Sequence, residues 1–213
     1  MKMNKPLFTI ITGTNGVGKS TFGKKFEEET KIPFINPDLH YKNKFGGYYD
    51  STIEQQREAS NELKQKREDF FKDKKSFAIE RILDHESVIS KLAKQAHENG
   101  FNTALIYIGV DRKEISNLRI ENRLSEGAHN VDPDIVEKNL KDCIKCFKSV
   151  AREFDNVLIY DNSTHRNSNH FIKIYDRRND HVKFEAAHKP KWAKDLIDNS
   201  FTLQKDKGID LSR

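Results

Sequence analysis

Cysteine is scarce in this chain: 213 residues contain two, Cys143 and Cys146, spaced i,i+3 inside a stretch of helical pattern. That spacing, with no second Cys/His pair at ligand distance, argues against a disulfide framework, a redox motif or a zinc site and suits buried or half-buried helix positions. Long apolar runs are missing as well. The longest, around Ala104 to Val110, falls far short of the ~20 residues that span a bilayer. No acidic excess exists either, since 38 Lys and Arg face 33 Asp and Glu for a net charge of +5. A positive balance permits attraction to nucleic acid or polyphosphate. The charges are nonetheless interleaved, as in residues 62–69, which read as a solvated helix face with i,i+4 pairs. No basic or aromatic strand-binding track stands out. Repeats and low-complexity segments are absent, and the length suits one domain that buries its own core. The charged start, Met1 to Pro6, runs directly into the first strand, so removal of a leader there would damage the loop that follows. A cytoplasmic protein is expected.

What the chain does have is a glycine-rich loop. Gly13 to Ser20 read G-T-N-G-V-G-K-S, a full match to G-x-x-x-x-G-K-[ST] between the apolar run Leu7 to Ile11 and a helical segment from Thr21. Glycines allow the φ values and close backbone approach of a loop wrapped around phosphate oxygens, and the helix aims its N-terminal amides inward. The expected nucleotide-binding residues are Gly13, Thr14, Asn15, Gly16, Val17, Gly18, Lys19, Ser20 and Thr21. Lys19 should reach the β- and γ-phosphates. Ser20 should offer its hydroxyl to Mg²⁺, a hard cation that keeps several waters. ATP or GTP is therefore the implied cofactor, with Mg²⁺.

Further strands are predicted at residues 32–35, 76–79, 103–109 and 156–160, separated by helices over about 52–71, from Asp84 to Asn99, from Asp111 onward, and from Asp132-Pro133 through Phe147. Strands alternating with helices imply a parallel sheet with right-handed crossovers and a ligand site at the strand carboxyl ends. Residues 171–175 and 181–184 read as a hairpin with a turn at Asp176 to Asp180 that extends the sheet edge.

A phosphate loop alone does not separate a kinase from a switch or a motor. Asp38, at the end of the second strand, could accept a proton from an acceptor hydroxyl, or could cap a short helix at Leu39 to Lys42. Glu80, at the end of the third strand, could bind substrate hydroxyls or pair with Arg81. Arg119 and Arg123 lie i,i+4 on one helix face, either as a lid over the transferred phosphoryl group or in surface pairs with Glu121 or Glu126. His129 and Lys138 are further lid candidates.

G-T-N-G-V-G-K-S-T, I-N-P-D, S-F-A-I-E, N-L-R-I-E-N-R, G-A-H-N-V and Y-D-N-S, in that order, resemble the zeta toxin family of P-loop kinases, and most closely its compact chromosomal members without a fused antitoxin. The resemblance covers about residues 7–164. It implies phosphorylation of the 3′-hydroxyl of the sugar in UDP-N-acetylglucosamine and an antitoxin protein as partner. It makes Lys19 the phosphate lysine, Asp38 the catalytic base, Glu80 a substrate-binding acid, and Arg119 with Arg123 the transition-state arginines. Two departures stand out. Arg81 and Ile82 follow Glu80 where the family usually has small or hydroxyl residues, and Lys138 and Asn139 stand where the family often has a second arginine beyond the lid loop.

The expected architecture is an α/β P-loop NTPase fold. It has a five-stranded, mainly parallel sheet flanked by helices, a helical lid and a C-terminal hairpin, in one domain over 1–213 with its core at about 7–164. The expected activity is ATP- or GTP-dependent phosphoryl transfer to a UDP-amino sugar, with no membrane association and no nucleic-acid partner. A polynucleotide 5′-hydroxyl kinase and a non-catalytic nucleotide switch are the alternatives.

Overall fold

The computed structural model describes residues 5–46, 52–112, 114–116, 119–120, 133–163 and 171–201. β1 (Leu7–Thr12) leads through the glycine loop into α1 (Lys19–Thr30), followed by β2 (Phe34–Ile35), α2 (Pro37–Phe45), α3 (Ile53–Lys72), β3 (Phe77–Glu80), α4 (Glu86–Glu98) and β4 (Asn102–Gly109). Helical turns at 114–116 and 119–120 come next. α5 (Pro133–Val150), β5 (Asn156–Asp161), β6 (Ile172–Arg178), β7 (His181–Glu185) and α6 (Lys191–Phe201) complete the described chain.

All seven strands join one sheet in the order β2-β3-β1-β4-β5-β6-β7. The first five run parallel, and the hairpin adds β6 and β7 antiparallel. The sheet is thus seven-stranded, because β6 pairs directly with β5 and does not stand apart from a five-stranded core. β6 also runs three residues into the expected turn, to Arg178. Arg177 explains the extension: its buried guanidinium donates to the Phe154 carbonyl at 2.8 Å, which holds the strand on the sheet to its end. Asn179, at φ 51, then makes the tight turn that a left-handed residue permits.

Strand residues alternate between two apolar layers. Phe8, Ile10, Phe77, Leu105, Tyr107 and Val157 face a core shared with the carboxyl end of α3 and with α4, α5 and α6. Ile11, Ala78, Ile106 and Ile108 face the opposite side with Val17 and with Phe22 of α1. Gly23 lets α1 approach closely, since a Cβ there would strike the Phe34 ring.

Local start signals account for the helix boundaries, with one exception. Thr52 forms a capping box with Gln55 at the head of α3. Asp84 does not cap α4: His85 holds the N-cap position without a side-chain bond, and Asp84 pairs with Arg81 at 3.4 Å. The charged face of α3 is only partly solvated. Glu58 and Glu62 pair with Lys44, Glu62 also with His40 at 2.9 Å, and Glu68 accepts from Gln95. These contacts dock α2 and α4 against α3.

Both thiols are fully enclosed on α5. Burial pushes the Cys143 thiol above its ordinary value and carries Cys146 up to about 12. A thiol-specific chromogenic reagent at pH 8 should therefore leave both cysteines untouched in the native protein and titrate both in urea. Rapid native reaction of either thiol would contradict the packing of α5.

Candidate active site

The glycine loop bends where glycine is required. Gly16 (φ 76) and Gly18 (φ 99) lie in the left-handed region, and a Cβ on Gly16 would sit 2.5 Å from the Ser116 carbonyl oxygen. Gly18 is the N-cap of α1 and supplies no side-chain acceptor. The leading N–H groups of α1 therefore receive no bond from an N-cap side chain and stand at the positive end of the helix dipole.

Lys19 is buried, with 8% of its surface exposed. Its Nζ donates to the Thr14 carbonyl at 2.9 Å and stands 4.0 Å from Glu80 Oε1. Parallel pairing produces this encounter, because the β1–β3 register sets Glu80 opposite Ile11, just before the loop begins. Ser20 is half-buried on the first turn of α1, and Thr21 is exposed.

Asn36 connects three elements of the site. Its Oδ1 accepts from the Leu39 amide at 2.9 Å and caps α2, while its Nδ2 donates to Glu80 Oε2 at 2.7 Å. Asp38 is consequently not the cap. Pro37 takes the first helical position, and Asp38 is exposed in the first turn, where a carboxylate complements the dipole. Glu80 pairs with Lys19 and Asn36, whereas Arg81 turns to Asp84.

Two other asparagines brace the loop. Asn139 on α5 donates to Asn15 Oδ1 at 2.9 Å, and Thr14 Oγ1 donates to the Val136 carbonyl at 3.4 Å. Asn162, just past β5, donates its side-chain amide to the Val17 carbonyl at 2.8 Å. Its own carbonyl accepts from the half-buried Arg119 at 3.0 Å. Lys138 is exposed on α5. Arg123 and His129 lie outside the described residues. Sequence reasoning missed Asn36, Asn139 and Asn162 as structural joints. Only Asn36 carried a usable signal, since Asn before Pro at a helix start is a capping pattern.

A groove of about 480 Å³ lies away from this site, on the α1 face near the strand starts, with Leu7, Phe26, Ala104, Asn156 and Arg178 among its walls. Its lining contains no residue of the glycine loop, so the chemistry is assigned to the loop and not to this groove.

A parallel sheet whose first strand ends in a glycine loop, a helix left uncapped at its start and a buried lysine define a P-loop nucleotide-binding protein of α/β class. The zeta toxin family model matches residues 1–180, and the chain belongs to that family. An uncharacterized protein of Haemophilus influenzae is 33% identical over 148 residues, covering 63% of this chain and 91% of that protein. Among solved structures, a chain from the PezAT chromosomal toxin-antitoxin system of Streptococcus pneumoniae superposes with a TM-score of 0.60 at 18% identity, over 94% of this chain and 79% of that one. A chain of the AvrRxo1-ORF1:-ORF2 complex with ATP superposes with a TM-score of 0.63 at 14% identity, over 97% and 67%. These likenesses establish a shared fold.

Gly18→Ala tests the loop geometry directly. A Cβ would lie 2.6 Å from Asn162 Nδ2 at a φ that alanine resists. The variant should lose ATP affinity by roughly tenfold or more in calorimetric titration while remaining folded by circular dichroism. Wild-type affinity would show that the loop does not hold the nucleotide.

Proposed function

We propose that this protein is a Mg²⁺-dependent phosphotransferase that moves the γ-phosphoryl group of ATP or GTP to a hydroxyl of a UDP-amino sugar, the 3′-hydroxyl of UDP-N-acetylglucosamine foremost. The observation that carries this reading is the pairing of buried Lys19 with Glu80, whose other oxygen is held by the cap of the helix bearing Asp38. Donor-binding and acceptor-binding groups thereby meet at the carboxyl ends of adjacent parallel strands, where α/β sheets bind ligands.

In this mechanism the leading amides of α1 bind the β- and γ-phosphates, and Lys19 exchanges the Thr14 carbonyl for phosphate oxygens. Glu80 accepts hydrogen bonds from acceptor hydroxyls. Asp38 takes the proton of the attacking hydroxyl as the bond from the γ-phosphorus to the leaving oxygen breaks. Arg119, together with Arg123, offsets charge on the equatorial oxygens. The half-buried Ser20 hydroxyl suits Mg²⁺, which would take its remaining ligands from phosphate and water and supply charge neutralisation.

The PezAT structure belongs to a toxin-antitoxin system and AvrRxo1-ORF1 was solved with ORF2. An inhibitory antitoxin protein is accordingly the expected macromolecular partner here. Among the described residues no helix is long and apolar enough to cross a membrane. We assign the activity to the cytoplasm, where its nucleotide substrates are made.

Incubation with ATP, Mg²⁺ and a panel of nucleotide sugars, followed by mass spectrometry, should show one added phosphate on UDP-N-acetylglucosamine or a related UDP-sugar. Labelling of an oligonucleotide 5′ end with every UDP-sugar unchanged would replace this reading by polynucleotide kinase activity. ATP binding without any acceptor-dependent turnover would replace it by a nucleotide switch.

Two substitutions assign the roles. Lys19→Ala should abolish transfer in a folded protein. Asp38→Asn should bind ATP normally but turn over roughly 10²-fold more slowly, as expected for loss of a positioned base. Unchanged turnover in the second would reduce Asp38 to a residue of the first helical turn.

A further inference from the structure

Asn162 lies outside the glycine loop and outside every residue given a chemical role above, yet three of its polar atoms are committed to the site. It is buried, with 4% of its surface exposed. Its amide N–H donates to the Gly109 carbonyl at 2.9 Å, which continues the β4–β5 pairing one step past the strand ends. Its Nδ2 donates to the Val17 carbonyl at 2.8 Å, and its carbonyl accepts from Arg119 at 3.0 Å.

These bonds have a directional consequence. Val17 and Gly18 share the peptide unit whose carbonyl Asn162 holds, so the N–H at the other side of that unit, on Gly18, is turned the opposite way. Fixing the Val17 carbonyl toward Asn162 thus fixes the Gly18 N–H on the opposite side, away from Asn162. The fit is close on both sides, since any Cβ on Gly18 would collide with this same amide. Meanwhile the Arg119 guanidinium is tied to the residue that orients the loop. The carbonyl of Ser116, three residues earlier in the chain, packs against Gly16.

We propose that Asn162 is a positioning residue that sets the orientation of the Val17–Gly18 peptide for phosphate binding and couples it to the placement of Arg119. The role rests on the phosphate-transfer reading of the site. Only a side chain that donates at this point and fits beneath Gly18 performs it. Aspartate keeps the shape but sets a carboxylate oxygen against the Val17 carbonyl, whereas alanine merely leaves the carbonyl unpartnered.

The order of these two variants separates orientation from space filling. Asn162→Ala should raise the Kd for ATP·Mg²⁺ about tenfold, and Asn162→Asp should raise it further, measured by calorimetry on protein verified as folded at the assay temperature. If Asn162 only filled space, aspartate would be close to neutral and alanine the worse of the two, and that order overturns the proposal. Unchanged Kd in both variants, with or without a lowered melting temperature, overturns it equally.

The coupling to Arg119 is read from turnover. Arg119→Ala combined with Asn162→Ala should lose less activity than the product of the single losses. Strictly multiplicative losses would sever Asn162 from Arg119. Failure of the unmodified protein to bind any nucleoside triphosphate would strike the phosphate-site reading itself, and so is distinguishable from failure of the Asn162 role.

Discussion

Everything at the site depends on one unfilled requirement of backbone chemistry. A helix begins with N–H groups that have no partner within it, and most helices satisfy them with a serine, threonine or asparagine side chain. α2 and α3 follow that rule with Asn36 and Thr52, while α1 begins at Gly18 and does not. Glycine conformations bend the chain just ahead of that helix start. The strand before, the helix after, and the asparagine contacts on either side all serve to hold that geometry.

The sheet order gives the loop its neighbours. β1 lies between β3 and β4, so the loop leaving β1 meets Glu80 from one adjacent strand and the backbone of Ile108 from the other. Parallel pairing brings all these carboxyl ends to one edge. Reversal of the chain direction at β6 occurs only beyond β5, on the side of the sheet that does not carry the lysine–glutamate pair. The antiparallel hairpin extends the sheet on that side, and Phe171, just ahead of β6, lies beside Gly18 of the loop.

Much of this was legible in the sequence, for identifiable reasons. The glycine loop declares itself because its conformational demands restrict residue type, and β4 and β5 because short apolar runs between helices suit buried strands. The two-residue β2 was recognisable mainly from Ile35 and the proline-marked turn after it. One miss is local, since Asp84 precedes α4 but bonds Arg81 three residues back. The others involve partners distant along the chain, as where Arg177 of β6 reaches the carbonyl of Phe154 ahead of β5. The asparagines at 139 and 162 contact residues 124 and 145 positions away, and no local pattern encodes such a meeting. Asp38 and Glu80 became candidates because strand ends point to the ligand edge, but the amide that joins Glu80 to the start of α2 carried no such signal.

The side-chain bonds that Asn15, Asn36, Asn139 and Asn162 contribute around the loop come from amides. An amide neither gains nor loses a proton anywhere in the range where proteins stay folded. These joints should accordingly keep the same donors and acceptors from mildly acidic to mildly basic solution. Acidity dependence at the loop then arises from groups other than these four amides.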